Sequence, residues 1–514
     1  MTTFSPMRLH ISSAIRLVSE SIQIAVRRSE AHFHSYELLR PSGASSEQHA
    51  WILMRLRQYS NRRLLVLCAL LAGIFGGLSS LRSNGGLPPA VTQKDHLFYL
   101  VVPTTQSDSE LCKTLGTAAV LGYPTPYLLD WSTTHDAGGE HSDHVYQMVH
   151  KTRTQLSTLN PHDDHTVLLL DGPYSWFQLR PEVLLSRYHS ILEKANERLV
   201  KGFDRRAVTE GGMKQSVVFS GQRCRSGPSD QVSCVRSSVS KRSDTNPHSL
   251  DIGSIIGPAK DLRAIFDRAA AKLEHSTNAV DAQSVFDDIF NQQQIRREAI
   301  RQQSWSVPKR TWSSLAEMVG LGGTVLDSNI DSNIDVDETY EFGISVDAAN
   351  ELGLSVNGNV DNIEWIQHSS ASGLRDSPSS LPTDIAESMP PFWTTSGYGV
   401  PLETRWEDVN LLADTDTEAI PAIISFSAGN VSTLQTTGWN KLWMHSHAQK
   451  LYEAQIPVPR LPLASIVDGG GVEHIFWNPD TRLERDGAKT FAGEWVAWQD
   501  ICRGESTWRA LGKL

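Results

Sequence analysis

The sequence predicts an α/β layered domain behind an N-terminal transmembrane helix. Short apolar runs alternate with helix-spaced segments from His96 to Gln303, the pattern of strands and helices layered together. One run, Val167 to Leu170, ends abruptly in Asp171, as a buried parallel strand carrying a carboxylate at its C-terminal end would. Leu64 to Leu81 (LLVLCALLAGIFGGLSSL) holds 18 uncharged residues, near the lower limit for crossing a bilayer.

Residues 1–63 carry nine Lys/Arg against four Asp/Glu and read as a cytosolic tail, mostly disordered. Within it, Ile11 to Arg28 is amphipathic, fitting either a membrane-surface segment or a weakly ordered helix. Arg55, Arg57, Arg62 and Arg63 precede the apolar run and only Arg82 follows closely. The positive-inside rule then makes residues 64–81 a single-pass signal anchor with a lumenal C-terminal domain. A tail of 63 residues is too long for a cleaved signal peptide, and a buried core helix is the other reading. Residues 82–95 are rich in Gly, Pro and Asn and read as a stem.

From residue 96 to 514 we expect one domain. Its strands are Leu97–Pro103, Thr125–Trp131, Val167–Leu170 and Ser216–Ser220. Its helices are Ser109–Leu121, His144–Leu159, Pro181–Val200, Ala259–Glu274 and Ala282–Gln303. The composition turns to Gly, Ser, Asn and Asp at about 313–388, which predicts a flexible insertion. One segment there, Thr339 to Asp347, looks ordered. Trp-rich segments from Pro390 onward read as the rest of the same domain, and VDGGGVE reads as a loop.

The net charge of −11 argues against a nucleic-acid partner. Cys224 and Cys234 flank a polar loop and form the natural local disulfide pair in an oxidising lumen. Cys112 with Cys502 is then an open option, by elimination only. Asn430-Val431-Ser432 is a glycosylation acceptor pattern. No GxSxG elbow, P-loop or zinc pattern is present. His445 and His447 are spaced for a shared face only on a strand, whereas their surroundings look helical. Trp176 and Phe177 read as core anchors rather than sugar platforms.

Taken in order, several blocks resemble the glycosyltransferase domain of procollagen lysyl hydroxylases and collagen galactosyltransferases, in the divergent form found in fungal membrane proteins. The blocks are HLFYLVVP, the Asp171 strand followed by WFQLRPEVLLSRYHSILEKANERL, VVFSGQRC, SLDIGSIIG, DAQSVFDDIFNQQQIRRE, EFGISVD and IPAIISFSAGNVSTL with GWNKLW. The resemblance implies a GT-A-like fold, a Rossmann-like mixed sheet flanked by helices. It also implies a UDP-sugar donor, a manganese ion and retaining transfer to a hydroxyl of a glycan or protein acceptor. Such a protein is expected in a Golgi or other secretory-pathway membrane.

Compared position by position, Asp171 matches the family's first metal acid, with a helix cap or surface acid as the other reading of that residue. Tyr174 stands where the second acid belongs. Asp251 replaces the amide of a site-facing turn in which Gly253 is kept, so both are expected at the nucleotide sugar. Ala282 replaces an acid; Gln283 is kept, and Asp281 could stand in one residue away, which makes Asp281 and Gln283 the catalytic candidates. The family's metal His falls on Ser425. Two expectations follow: a nucleotide-sugar-dependent transferase using UDP-sugar and Mn2+ at a weakened site, or a catalytically inactive relative, with no cofactor, acting as a Golgi partner or scaffold. Sugar, acceptor, oligomeric state and tail sorting signals are not encoded legibly.

Overall fold

A computed structural model describes residues 92–104, 107–131, 141–159, 165–203, 205–223, 248–275, 282–304, 340–356, 362–371, 381–393, 404–426, 433–455, 461–480 and 487–503. All described residues belong to one compact unit, Val91–Leu514. The tail, the Leu64–Leu81 segment, most of the stem, Cys224, Cys234, Asp281 and Asn430 lie outside them. Among the described residues no helix is long and apolar enough to cross a membrane.

The elements follow in the order β1 (Thr92–Pro103), α1 (Ser109–Val120), β2 (Tyr127–Leu129), α2 (His141–Thr158), β3 (Thr166–Leu170), β4 (Ser175–Phe177), α3 (Pro181–Phe203), β5 (Val217–Arg223), β6 (His248–Pro258), α4 (Ala259–His275) and α5 (Ala282–Ser304). Then come β7 (Ile344–Asp347), β8 (Gly353–Val356), β9 (Ile363–Ile366), β10 (Leu411–Asp414), β11 (Ile423–Phe426), α6 (Ala448–Gln455), β12 (Ala464–Val467), β13 (Val472–Trp477), β14 (Gly487–Thr490) and β15 (Trp495–Ala497). Short helical turns fill several connections.

A 13-stranded mixed sheet forms the centre, with the path β15-β14-β2-β1-β3-β6-β5-β8-β11-β4. Strands β1, β2, β3, β5, β7, β8, β11, β13 and β14 run one way. β6 runs against β3 and β5 between them. β9 and β10 form a separate two-stranded sheet. This is a mixed α/β sheet flanked by helices, the Rossmann-like layout expected from the alternation of elements.

The apolar runs are continuous because the sheet is covered on both faces. In β1, Phe98, Leu100 and Val102 enter the core shared with α1 and α3, whereas Tyr99 and Val101 enter the one shared with α2, α4 and α5. β3 divides likewise, Leu168 and Leu170 to one face and Val167 and Leu169 to the other. Trp176 and Phe177 are fully buried, and the Trp176 ring meets Phe426 at 4.5 Å and Trp439 at 5.2 Å, so both are core anchors.

Three features depart from the sequence expectation. β1 begins at Thr92 rather than Leu97, because the polar Thr92–Asp95 pair with β13 while their side chains stay exposed. SLDIGSIIG lies in a strand, β6, and not in a turn. Within the stretch at 313–388, β7 and β8 are sheet members: β7 pairs with β5, and β8 with both β5 and β11. The polar composition there belongs to the connections around two short buried strands. VDGGGVE is a loop, as expected: it forms the tight turn between β12 and β13, with Gly471 in the left-handed region at φ 77°. The C-terminal segments join the same sheet through β13 and β14.

Cys112 on α1 is bonded to Cys502, which follows the last helical turn. This is the pair that elimination alone suggested. It closes a sequence separation of 390 residues.

Candidate functional site

In an open α/β sheet, ligands collect beyond the C-terminal ends of the parallel strands. Here β3 ends at Leu170, and the exposed Asp171 is the first residue past it. Its backbone N–H donates to the Gly253 carbonyl at 3.3 Å. That contact continues the regular β3–β6 ladder one step past Leu170 and Ser254, whereas on its other side β6 is bulged against β5. Phe219 pairs with Ile255, but Ser220 pairs with Asp251, so residues 252–254 oppose a single step of β5. Bulges of this kind re-aim side chains at sheet edges.

The bulge closes on itself through Asp251. One carboxylate oxygen, Oδ1, accepts the Gly253 N–H at 2.8 Å. The other, Oδ2, is buried with no hydrogen-bond partner. The residue is only 7% exposed. A buried carboxylate oxygen left unpaired costs stability unless a ligand or water meets it. Gly253 keeps this corner narrow: a Cβ there would stand 3.3 Å from Asp251 Oδ1 and 3.5 Å from Ser425 Cβ.

Ser425 arrives on β11, which pairs antiparallel with β4 so that Ser425 faces Ser175. Their hydroxyls are 3.0 Å apart. Phe426 N–H donates to the Tyr174 carbonyl at 2.8 Å. Two threonines of α1 fix the 173–177 segment: Thr114 Oγ1 donates to Pro173 O at 2.6 Å and accepts from Ser175 N–H, and Thr117 Oγ1 accepts from Phe177 N–H. Deeper in, Ser220 and Ser254 share a 2.5 Å hydrogen bond. Gly353 lies over them, where a Cβ would stand 2.5 Å from Ser220 Oγ.

The structure thus brings Asp171, Tyr174, Ser175, Asp251, Gly253 and Ser425 to one edge. Gln283 stands behind it on α5. Its amide nitrogen donates to Leu250 O at 2.5 Å and its oxygen accepts from Ile252 N–H at 3.3 Å, so it braces the bulge from the rear. Asp347, at the end of β7, is nearly fully buried and accepts the N–H groups of Glu351, Leu352 and Gly353. Burial outweighs these bonds and pushes its carboxyl up to about 6.

Two acids at this edge escaped the sequence reading. Asp108 and Glu110 open α1, and both raise the Tyr174 pKa, though burial contributes more. Tyr174 therefore stays a neutral hydroxyl at pH 7. Glu110 is paired with Lys113 at 2.7 Å and accepts from Gln435 at 3.0 Å. The only signal was an acidic S-D-S-E run after β1, indistinguishable from a polar loop.

The manganese implied by the resemblance needs several oxygen or imidazole ligands around one point. Asp171 and Asp251 offer carboxylates, whereas Tyr174 and Ser425 offer neutral hydroxyls, and Ser425 is committed to Ser175. Among the described residues no group of three or more His, Cys, Asp or Glu side chains is arranged to hold a metal ion. The described residues do not assemble such a site.

Comparison with protein-family models finds no match for this chain, and none is found among curated proteins.

Proposed function

We propose that this protein is a glycosyltransferase-like type II membrane protein with a GT-A-like lumenal domain, which binds a nucleotide sugar at the Asp171–Asp251–Ser425 edge for transfer to a hydroxyl acceptor. One observation carries the reading. Residues 171, 174, 251, 253 and 425 span more than 250 positions of sequence, and the resemblance assigns all of them to one donor site. The fold gathers them through independent strand pairings. A mixed sheet flanked by helices, with β6 reversed between β3 and β5 beside the edge, supports this reading. The Cys112–Cys502 bond supports an oxidising compartment such as the Golgi lumen.

In this arrangement Asp251 recognises donor hydroxyls: its unpaired Oδ2 is an acceptor held in place by the bond from Gly253 to Oδ1. Asp171, beyond the strand end, faces the same ligand. Gly253 leaves room for close approach, and Gln283 keeps the bulge from collapsing.

A second reading is favoured by a different observation. Ser425, where the resemblance expects a His, is instead hydrogen-bonded to Ser175, next to the Tyr174 that stands where it expects an acid. A catalytically inactive relative, serving as a partner or scaffold for Golgi enzymes, would keep the fold with such a closed site. Isothermal titration of the full-length chain in detergent with UDP, with and without manganese, separates the two. Saturable heat supports the donor-site reading. No heat at millimolar UDP in either condition overturns it and leaves the scaffold.

A further inference from the structure

Toward the N-terminal end of β1, away from the donor edge, three histidines from three elements meet. They are His96 on β1, His474 on β13 and His189 on α3. His96 Nε2 and His474 Nδ1 are hydrogen-bonded at 2.9 Å, and His474 Nε2 lies 3.1 Å from Asp468 Oδ2. The His474 ring centroid is 5.1 Å from His96 and 5.0 Å from His189. Phe476 stacks on His96 at 5.1 Å and meets His189 edge-on at 5.5 Å. His189 Nε2 is buried without a hydrogen-bond partner.

These contacts fasten one hairpin. β12 and β13 pair through the glycine turn, where Asp468 Oδ1 accepts the N–H groups of Gly470 and Val472, each at 2.9 Å. β13 continues the sheet alongside the first half of β1. Between the hairpin and α3 lies a cavity of about 670 Å³, lined by His189, Glu193, Asn196, Val467, Asp468 and Gly469 among others.

A hydrogen bond between two imidazoles needs one donor nitrogen and one acceptor nitrogen. A first added proton is accommodated by Asp468. A second sets N–H against N–H and places two cations side by side. His189 has no acid hydrogen-bonded to Nε2; other charged groups on the elements around the cluster are Glu193, Glu197 and Lys201 on α3, Arg205 just after it, Lys94 and Asp95 on β1, and Glu473 on β13. Of these, Glu197 is paired with Lys201, Asp95 accepts from Trp477 and Glu473 accepts from Ser465.

We propose that the His96–His189–His474 cluster is an acid-sensitive latch: neutral imidazoles hold the β12–β13 hairpin against α3 and β1, and acidification releases the hairpin and opens the cavity beneath it. Burial first, then His474 and His96, hold the His189 pKa down to about 4, against the pull of Asp468. A histidine that resists protonation when folded makes the folded state bind fewer protons than the open one. The latch is therefore complete above about pH 6.5 and weakens as the pH falls toward about 4.

Hydrogen exchange of the full-length chain in detergent at pH 7.5 and 5.0, corrected for intrinsic rates, tests this. The amides of Leu463, Asp468 and Gly471, which are bonded within the hairpin, are expected to lose about tenfold or more of their protection at the lower pH. Lys489 and Thr490 of β14, in a hairpin without histidine, keep theirs. His189→Phe keeps a ring and removes the buried titrating nitrogen, and it should at least halve the change in log protection. Equal protection of the β12–β13 hairpin at both pH values, or equal loss in β14–β15, overturns the latch. So does a His189→Phe hairpin with the full wild-type response. Should that variant fail to fold, the wild-type comparison decides alone.

Discussion

Reducing the full-length chain, or replacing Cys502 with Ser, is expected to cost about 2–5 kcal/mol of stability. Cys112 is fully buried on α1 and Cys502 is 5% exposed at the chain's far end. Their bond closes a loop spanning nearly the whole domain, and the entropy removed from the unfolded chain grows with loop length. It also pins β14 and β15, which join the sheet only beside β2. The loss should appear as a fall in melting temperature under reductant, reproduced by Cys502→Ser and absent when reductant is added to that variant. An unchanged melting temperature would contradict a stabilising bond, and a further fall in Cys502→Ser would assign the effect to another disulfide.

Glu341→Ala is expected to destabilise the domain by about 3–5 kcal/mol. The Glu341 side chain is 5% exposed and lies between two arginines of α5 that are themselves 4% and 3% exposed. Arg296 Nη1 stands 3.3 Å from Glu341 Oε2, and Arg297 donates to the same oxygen from Nε at 3.0 Å and to Oε1 from Nη2. Both guanidiniums also reach backbone carbonyls, Arg296 that of Gly211 and Arg297 that of Lys214. Removing the carboxylate leaves those two cations buried without it, a far larger penalty than losing a surface pair. Urea unfolding monitored by tryptophan fluorescence reads the difference. Glu341→Gln, which keeps the acceptor oxygen but not the charge, should fall between wild type and Glu341→Ala. A loss below about 1 kcal/mol in Glu341→Ala would place the pair in the class of exposed ion pairs.

Elements with strong local signals were legible. Leu97–Pro103 and Val167–Leu170 are apolar on both faces because helices cover both, and α3 has one wide apolar stripe over its length. β6 was not legible, because Gly253, Gly257 and a mid-strand acid break its pattern; the bulge accommodates Asp251 and Gly253, and Gly257 lets Val217 approach closely. β8 was hidden by polar flanks, since four residues, three of them buried, leave little periodicity to read; β7, equally short, fell within the one segment there that looked ordered. The pairing of β1 with β13 joins residues 380 apart and has no local signature.

At the site, Asp171 was readable as an acid closing an apolar run. The meeting of Ser425 with Ser175 was not, because it follows from the β11–β4 register alone. The same sequence blocks also hold polar residues whose work is structural. Gln283 braces β6; Gln293 accepts from the Phe342 and Ile344 N–H groups; Glu341 binds two arginines; and Asp347 ties down the turn before β8. Sequence alone cannot separate such residues from ligand-binding ones, because both are buried polar groups in the same blocks.

The donor-edge reading rests most heavily on Asp251, the buried carboxylate with one oxygen unpaired. The direct measurement is UDP affinity of the full-length chain, by titration calorimetry, for wild type, Asp251→Ala and Asp171→Ala, each first matched to wild type in folding by tryptophan fluorescence. The account expects saturable UDP binding that weakens by about tenfold or more in Asp251→Ala, the scale of losing a hydrogen bond to a charged group, with a smaller loss in Asp171→Ala. UDP binding that is the same in all three proteins would place the nucleotide elsewhere and contradict it.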